Sequence, residues 1–410
     1  MNSFTSDYSS SSRPLSRSAR LKTAFILGSL SAFGPLSLDM YLPALPKLAE
    51  ELNATASVTQ LSLTSCLLGL ALGQLAAGPM SDVRGRRAPL IISLCIYAIS
   101  SLLCVFAPSA WALIALRFVQ GLSGSAGIVI SRAVVRDLYS GTELTKFFSL
   151  LMLVNGAAPI LAPIFGGQLL QFTSWRGVFV VLALIGVVMM IAVLFGLPES
   201  LPKERRQSGG FTATWTTFRR LLGDRLFIGF CLTQGLVSAA MFAYISGSSF
   251  VMQNVFEASP QMFSFIFATN GVGIIIASQT TGRLAGKIKE AKMLQFGLIL
   301  ALAGATGLLT AILLGGQLIT VLIPLFFVVS CVGIISTSSF SLAMQSQGKA
   351  AGSASALLGL IPYILGAAVA PLVGLGGEHT AVPLGIVIAI AELGAVCSYL
   401  LLVRPKLISK

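Results

Sequence analysis

Arg176-Gly-Val-Phe-Val-Val-Leu-Ala-Leu-Ile-Gly-Val-Val-Met-Met-Ile-Ala-Val-Leu-Phe-Gly-Leu-Pro198 contains no charge between Arg176 and the next one at Glu199. A helix needs roughly 20 apolar residues to cross about 30 Å of hydrocarbon, and this run has that length. Working outward, stretches of the same kind fill approximately 21–45, 57–80, 88–107, 109–135, 144–170, 176–197, 225–250, 262–282, 293–315, 318–344, 350–375 and 381–403 of a 410-residue chain. The mean hydropathy of the whole is +0.89. In lipid every backbone amide must be satisfied locally, which helices achieve. A barrel would alternate apolar and polar residues over short segments, and no such alternation is present. The fold class read here is therefore an all-α membrane protein with twelve transmembrane helices.

Charge gives the orientation. With the N-terminus inside, 24 of the 27 Lys and Arg residues fall on inner segments, among them Arg84, Arg86, Arg87, Arg206 and Arg283. Only Lys47 and Arg176 fall outside, and Arg117 lies within a span. Both termini are thus expected on the cytoplasmic side. The net charge of +13 is a topology signal, since a nucleic-acid partner would call for a soluble basic module. The six cysteines all lie in expected spans, with no C-x-x-C pair, and the one histidine, His379, lies in an outer loop. No metal site or disulfide framework is readable. No serine–histidine, metal or paired-carboxylate arrangement points to an enzyme.

The Ser-rich residues 1–20 read as a disordered cytoplasmic tail. The apolar run after them is longer than the hydrophobic region of a signal peptide and is kept as the first helix. The longest inner loop, 198–224, carries Pro198, Pro202, Gly209, Gly210 and a cluster of Lys and Arg. It divides the spans into an N-terminal six-helix bundle, 21–197, and a C-terminal one, 225–403, followed by a short tail, 404–410. A weak repeat supports the division. Gly78-Pro-Met-Ser-Asp82-Val-Arg84-Gly85-Arg86-Arg87 joins spans two and three, and Gly282-Arg283-Leu-Ala-Gly286-Lys287 joins spans eight and nine, with Gly286 standing where the first copy has Asp82. Two such halves are the sequence form of a transporter whose site lies at the midplane between them.

The loop G-x-x-x-D-x-x-G-R-R, carried by Gly78, Asp82, Gly85, Arg86 and Arg87, resembles the signature of the major facilitator superfamily. The resemblance implies an inner latch that stabilises the outward-open state, with Asp82 held by Arg86 and Arg87. Span four, Leu113-Ile-Ala-Leu-Arg117-Phe-Val-Gln120-Gly121, is similar to the buried-arginine motif that this superfamily associates with proton coupling. Span five, Asn155-Gly156-Ala-Ala-Pro159-Ile-Leu-Ala162-Pro163-Ile-Phe-Gly166-Gly167, resembles the Gly/Pro signature of its drug exporters, with Ala162 departing from the usual glycine. Pro159 and Pro163 each remove a helix hydrogen bond, while Gly156, Gly166 and Gly167 allow a neighbouring helix to come close.

Pro35-Leu-Ser-Leu-Asp39-Met40-Tyr41-Leu-Pro43-Ala-Leu-Pro46, together with these segments, looks like the bicyclomycin-resistance (Bcr/CflA) branch of the drug:proton antiporters. The resemblance spans nearly the whole chain. It implies an inner-membrane protein that exports small antibiotics of the bicyclomycin and chloramphenicol kind against inward proton flow. It needs no cofactor beyond the coupling proton, and a monomer is expected.

Only Asp39, Arg117 and Glu392 are ionisable deep inside spans, where each costs at least about 2.5 to 3.5 kcal/mol on insertion scales and marks a functional candidate. Asp39 lies seven residues before Pro46 and Arg117 nine after Pro108, about 10 and 13 Å from the same side at 1.5 Å per residue. The two are expected to meet. A change in that contact during transport would let Asp39 take a proton from outside and release it inside. Glu392, on the last span, is expected to be neutral or paired locally. By family analogy, substrate contacts are expected from Tyr41, Gln120, Asn155, Met241, Tyr244, Asn270 and Tyr363. Gly352, Gly359 and Gly366 share one face of span eleven, where close helix contact is expected. A proton-coupled importer or exporter of a metabolite such as an amino acid or sugar would keep the same fold.

Overall fold

A computed structural model of the chain describes residues 17–139, 141–206, 218–345, 347 and 351–405. The tail up to residue 16, the middle of the 198–224 linker and the last five residues lie outside these. The helices are α1 (Arg17–Ser31), α2 (Phe33–Asp39), α3 (Leu45–Glu51), α4 (Ala56–Arg84), α5 (Arg87–Val105), α6 (Ala110–Leu138), α7 (Gly141–Leu169), α8 (Trp175–Gly196), α9 (Arg225–Phe250), α10 (Pro260–Leu284), α11 (Glu290–Leu313), α12 (Leu318–Met344), α13 (Ala351–Val369) and α14 (Val382–Ser398).

Their starts follow from capping chemistry. Thr55, Ser109 and Ser259 accept hydrogen bonds from the backbone N–H of Val58, Ala112 and Met262 at 3.3, 3.3 and 3.1 Å. Asp224 accepts from both Leu226 and Phe227 at the head of α9. Each hydroxyl or carboxylate satisfies an N–H that has no intrahelical partner. Gly85 ends α4 with φ +90°, and Gly286 turns the chain just past α10 with φ +84°. Gly286 thus turns the chain as Gly85 does, although the two glycines do not align in the sequence repeat.

Among the described residues ten helices are long and apolar enough to cross a membrane, and a bent pair, Lys22–Ser31 with Phe33–Glu51, brings the number to eleven. The chain is an all-α, multi-span membrane protein. Large side chains such as Phe25, Phe195, Ile299, Ile390 and Leu401 stand exposed on its outside, as lipid contact requires and water would not favour. The first span is not the continuous helix read from sequence. It bends by 40° after Ser31, stops at Asp39, passes through a 3₁₀ turn at Leu42–Ala44 and resumes as α3.

One buried apolar cluster draws only on residues 26–197 and includes Phe33, Tyr97 and Val193. A second draws only on residues 221–403 and includes Phe227, Leu298 and Tyr399. The third takes side chains from both stretches, with Tyr41, Phe179, Tyr244 and Phe267 among them. Between α4 and α6 the helices touch main chain to main chain. A Cβ on Gly121 would overlap the backbone of Cys66, and one on Gly69 the backbone of Phe118 and Leu122. Small residues at such crossings supply the dispersion contact that holds helices together in lipid.

Candidate functional site

Arg117 is fully buried in α6, yet it is well furnished with partners. One terminal nitrogen donates to the Ser37 carbonyl at 2.7 Å, and the other to the Gln120 side-chain carbonyl one turn along the same helix. Gln120 in turn donates to Ser101 at 2.7 Å. The guanidinium lies 4.4 Å from the ring centre of Tyr41 and 5.6 Å from that of Phe179, an arrangement in which the aromatic faces attract the cation. Tyr41 is fixed by a 3.0 Å bond to Ser62, and Tyr97 by a 2.7 Å bond to Ser37. The break in the first span makes this possible. Because α2 ends at Asp39, the Ser37 carbonyl belongs to a last turn whose acceptors lack helical donors.

Asp39 is buried beside this network, but no ion pair joins it to Arg117. Among the described residues no hydrogen bond of its carboxylate is seen, although the Arg117 charge acts on it. The expected meeting of the two charges therefore becomes an approach in which Arg117 grips the main chain two residues before Asp39 and leaves the carboxylate unclaimed. Glu392 in α14 is likewise fully buried, with both oxygens unpartnered.

The candidate substrate residues separate into two groups. Tyr41 and Gln120 are enclosed in the Arg117 network and have no exposed surface. Tyr244 from α9 accepts a 2.8 Å bond from Asn270 of α10 and stacks on Phe267 at 5.3 Å and 16°. Tyr363 of α13 packs beside Phe242 at 5.7 Å, and Met241 is partly buried next to it in sequence. The side chain of Asn155 lies outside the described residues.

At the end that carries the basic loops, Arg86 is the hub. It meets Asp82 at 2.6 Å and Asp137 at 2.9 Å and also donates to Ser81. Arg87 takes no part in that pairing. It donates to the Leu194 carbonyl at 2.5 Å. Glu199 caps α5, accepting from the backbone N–H of Arg86 at 2.8 Å and of Arg87 at 3.1 Å, with Arg206 3.9 Å away. Partial burial pulls the Glu199 carboxyl upward. The N–H donors of Leu201, Arg86 and Arg87 and the charge of Arg206 outweigh that and leave it below the ordinary carboxyl range. Asp137 and Glu199 escaped the sequence reading. Asp137 directly follows Arg136 at the foot of α6 and Glu199 directly follows Pro198, so both looked like ordinary loop charges.

The opposite, far end is closed. Ser249 donates to the Leu42 carbonyl at 2.5 Å and Gln253 to that of Pro43 at 3.1 Å. Ser57 donates to Pro371, Gln60 to Ser246, Gln261 to Gly167 and Ser264 to Pro163. All six bonds tie residues before 198 to residues after 224. From there the contact continues along α7 and α10, where Ile275 faces Gly156, Ile160 faces Gly271 and Ser264 faces Gly167. The Gly/Pro segment of α7 thus lines a seam with α10.

Membrane-spanning helices surround a buried polar centre, and bonds between residues before 198 and after 224 close one end of it. Residues 27–371 match the sequence profile of the Major Facilitator Superfamily, and the chain belongs to that family. It is a secondary transporter, not an enzyme. It is 47% identical to the uncharacterized MFS-type transporter YdgK of Bacillus subtilis over 89% of this chain and 91% of that one. It is 30% identical to a bicyclomycin resistance protein homolog of Haemophilus influenzae over 95% and 99%. Its fold resembles the solved nucleoside transporter NupG, with a TM-score of 0.75 at 14% identity, covering 93% of this chain and 98% of that one. Among the described residues no cluster of His, Cys, Asp and Glu could hold a metal ion.

Proposed function

We propose that the chain moves a small organic solute by alternating access and couples that movement to protons through Asp39. The observation that carries this reading is the Asp39 carboxylate, buried and without a hydrogen bond among the described residues, beside a buried arginine whose own hydrogen bonds go elsewhere. A carboxylate desolvated without a partner is costly, and a proton removes the cost. Reopening to water restores the charge. Each pH unit supplies about 1.4 kcal/mol and each 100 mV about 2.3 kcal/mol per charge moved, enough to drive accumulation. In this reading α7 completes twelve spans in two six-helix halves, 21–197 and 225–403. Both termini face the cytoplasm of an inner-membrane protein, and the far end closed here is the outer one. Tyr244, Asn270, Met241 and Tyr363 would offer the solute aromatic and amide contacts, the usual mixture in small-molecule pockets.

A second reading, export of antibiotics, is favoured by the relative named for bicyclomycin resistance and by the Gly156–Gly167 segment. Accumulation of a labelled panel distinguishes the two: bicyclomycin and chloramphenicol on one side, amino acids and sugars on the other. The cells are pump-deficient bacteria expressing the wild type or Asp39→Asn, with and without a protonophore. Lower accumulation of an antibiotic, abolished by protonophore and by substitution, supports export. Altered accumulation of a metabolite with the same dependence supports the broader reading. Any transport that ignores both overturns proton coupling at Asp39.

A further inference from the structure

The six bonds that close the far end are not equivalent. Only two of them land on the broken first span, at Leu42 and Pro43, three and four residues past Asp39. Their donors form a saturated relay. The Ser249 hydroxyl gives its proton to the Leu42 carbonyl and accepts from Gln253 at 2.8 Å. The Gln253 amide spends both N–H groups, one on Ser249 and one on Pro43. Gln253 stands in a π turn, Val251–Val255, that extends α9, a local irregularity frequent at functional sites. Arg117 holds the same segment from the other side at Ser37. The Met40 main chain lies against Gly166, with no room for a Cβ between them. Asp39 therefore sits on a short piece of chain gripped before and behind, and its forward grip is a gate contact.

We propose that Ser249 and Gln253 are the positioning residues that make closure of the far end depend on Asp39. The inference rests on the reading of Asp39 as the proton site. The groups that face Asp39 are Arg117 from α6, Cys66 from α4, Tyr244 from α9 and Tyr363 from α13. None of these is a carboxylate, and Arg117 is committed to main-chain and amide oxygens. Closure leaves a carboxylate at Asp39 buried without a hydrogen-bond donor and with only the Arg117 charge near it, so the closed gate favours the neutral acid and acidity favours the closed gate. When Asp39 loses its proton and draws water, the segment 39–43 shifts and withdraws the Leu42 and Pro43 carbonyls from their donors. Ser57, Gln60, Gln261 and Ser264 bind elsewhere along the seam and do not sense that shift.

The test needs no solute. Val251→Cys, buried among the gate residues, is introduced into a chain whose six cysteines are replaced by alanine. Its rate of labelling by a membrane-impermeant maleimide, divided by that of a free thiol at the same pH to remove the rise in thiolate fraction, is then read in vesicles at acidic and alkaline pH. With Asp39 intact, labelling should be roughly tenfold faster at alkaline pH, the effect of about 1.4 kcal/mol on the gate equilibrium. Asp39→Asn should be slow at both. Ser249→Ala with Gln253→Ala should be fast at both, Ser249→Thr should restore the pH response, and Gln261→Ala should keep it. A pH response that survives Ser249→Ala with Gln253→Ala overturns the inference while leaving Asp39 as the proton site. A rate that does not change with pH while Asp39 is intact overturns both.

Discussion

At the scale of single residues, the best-anchored charge is Arg86. Its guanidinium is buried, and Asp137 is the more buried of its two carboxylate partners, with a side chain 15% exposed against 36% for Asp82. Removing one member of a buried pair leaves the other uncompensated, at about 3 to 5 kcal/mol, whereas an exposed member costs about 1 kcal/mol or less. Asp137→Ala should therefore lower the thermal midpoint of the purified protein far more than Asp82→Ala, despite the prominence of Asp82 in the sequence. Glu199 supplies a pH prediction. A carboxyl whose pKa is depressed on folding contributes stability above its unfolded value, about 4.3, and loses it as pH falls through the lower folded value. The tether between the linker and α5 should hold throughout the neutral range. Limited trypsin cleavage at Arg206 should stay slow there, accelerate in Glu199→Ala, and show no step between weakly acidic and neutral pH.

At the scale of elements, most helices were legible in the sequence because a run of about 20 apolar residues has few alternatives in lipid. The break at residues 39–44 was not. Pro35, Pro43 and Pro46 stand in this stretch, but apolar composition carries no information on where a helix stops inside the membrane. The stop leaves the Ser37 carbonyl to a side-chain donor, and the 3₁₀ turn after it presents the Leu42 and Pro43 carbonyls to two more. The glycines divide in the same way. Gly366 lies against the Phe242 ring, as close packing on that face of span eleven anticipates, but a Cβ on Gly359 would meet nothing within 4 Å. Spacing fixes a face and does not name its neighbour. On the α7–α10 seam, Gly271 lies under Ile160, so Gly271→Val overpacks the contact between halves. A loss of about 1 to 3 kcal/mol is expected, read as a lowered melting temperature. Gly359→Val, with open space around it, should come within about 0.5 kcal/mol of the parent.

At the scale of the whole molecule, the pattern of bonds is asymmetric. Among the described residues, six side-chain bonds join residues before 198 to residues after 224, and they gather at the far end. The network of Arg86, Asp82, Asp137 and Glu199 closes within the N-terminal half. The sequence showed the basic loops and the Gly/Pro segment, but not Asp137, Glu199 or the side chains that join at the far end. It could not tell which end is shut, because that depends on side chains meeting across the seam and no local pattern records it. It also placed Asp39 and Arg117 at similar depth without showing that the guanidinium would prefer a carbonyl to the carboxylate. The proposed coupling makes Asp39 the link between solute movement and proton movement. The most direct measurement reconstitutes the purified protein in vesicles containing a pH-sensitive dye, then imposes a gradient of the solute identified by the panel. Proton movement that accompanies the solute in the wild type and disappears in Asp39→Asn is the predicted result. Solute flux without proton flux, or equal proton flux in Asp39→Asn, would contradict it.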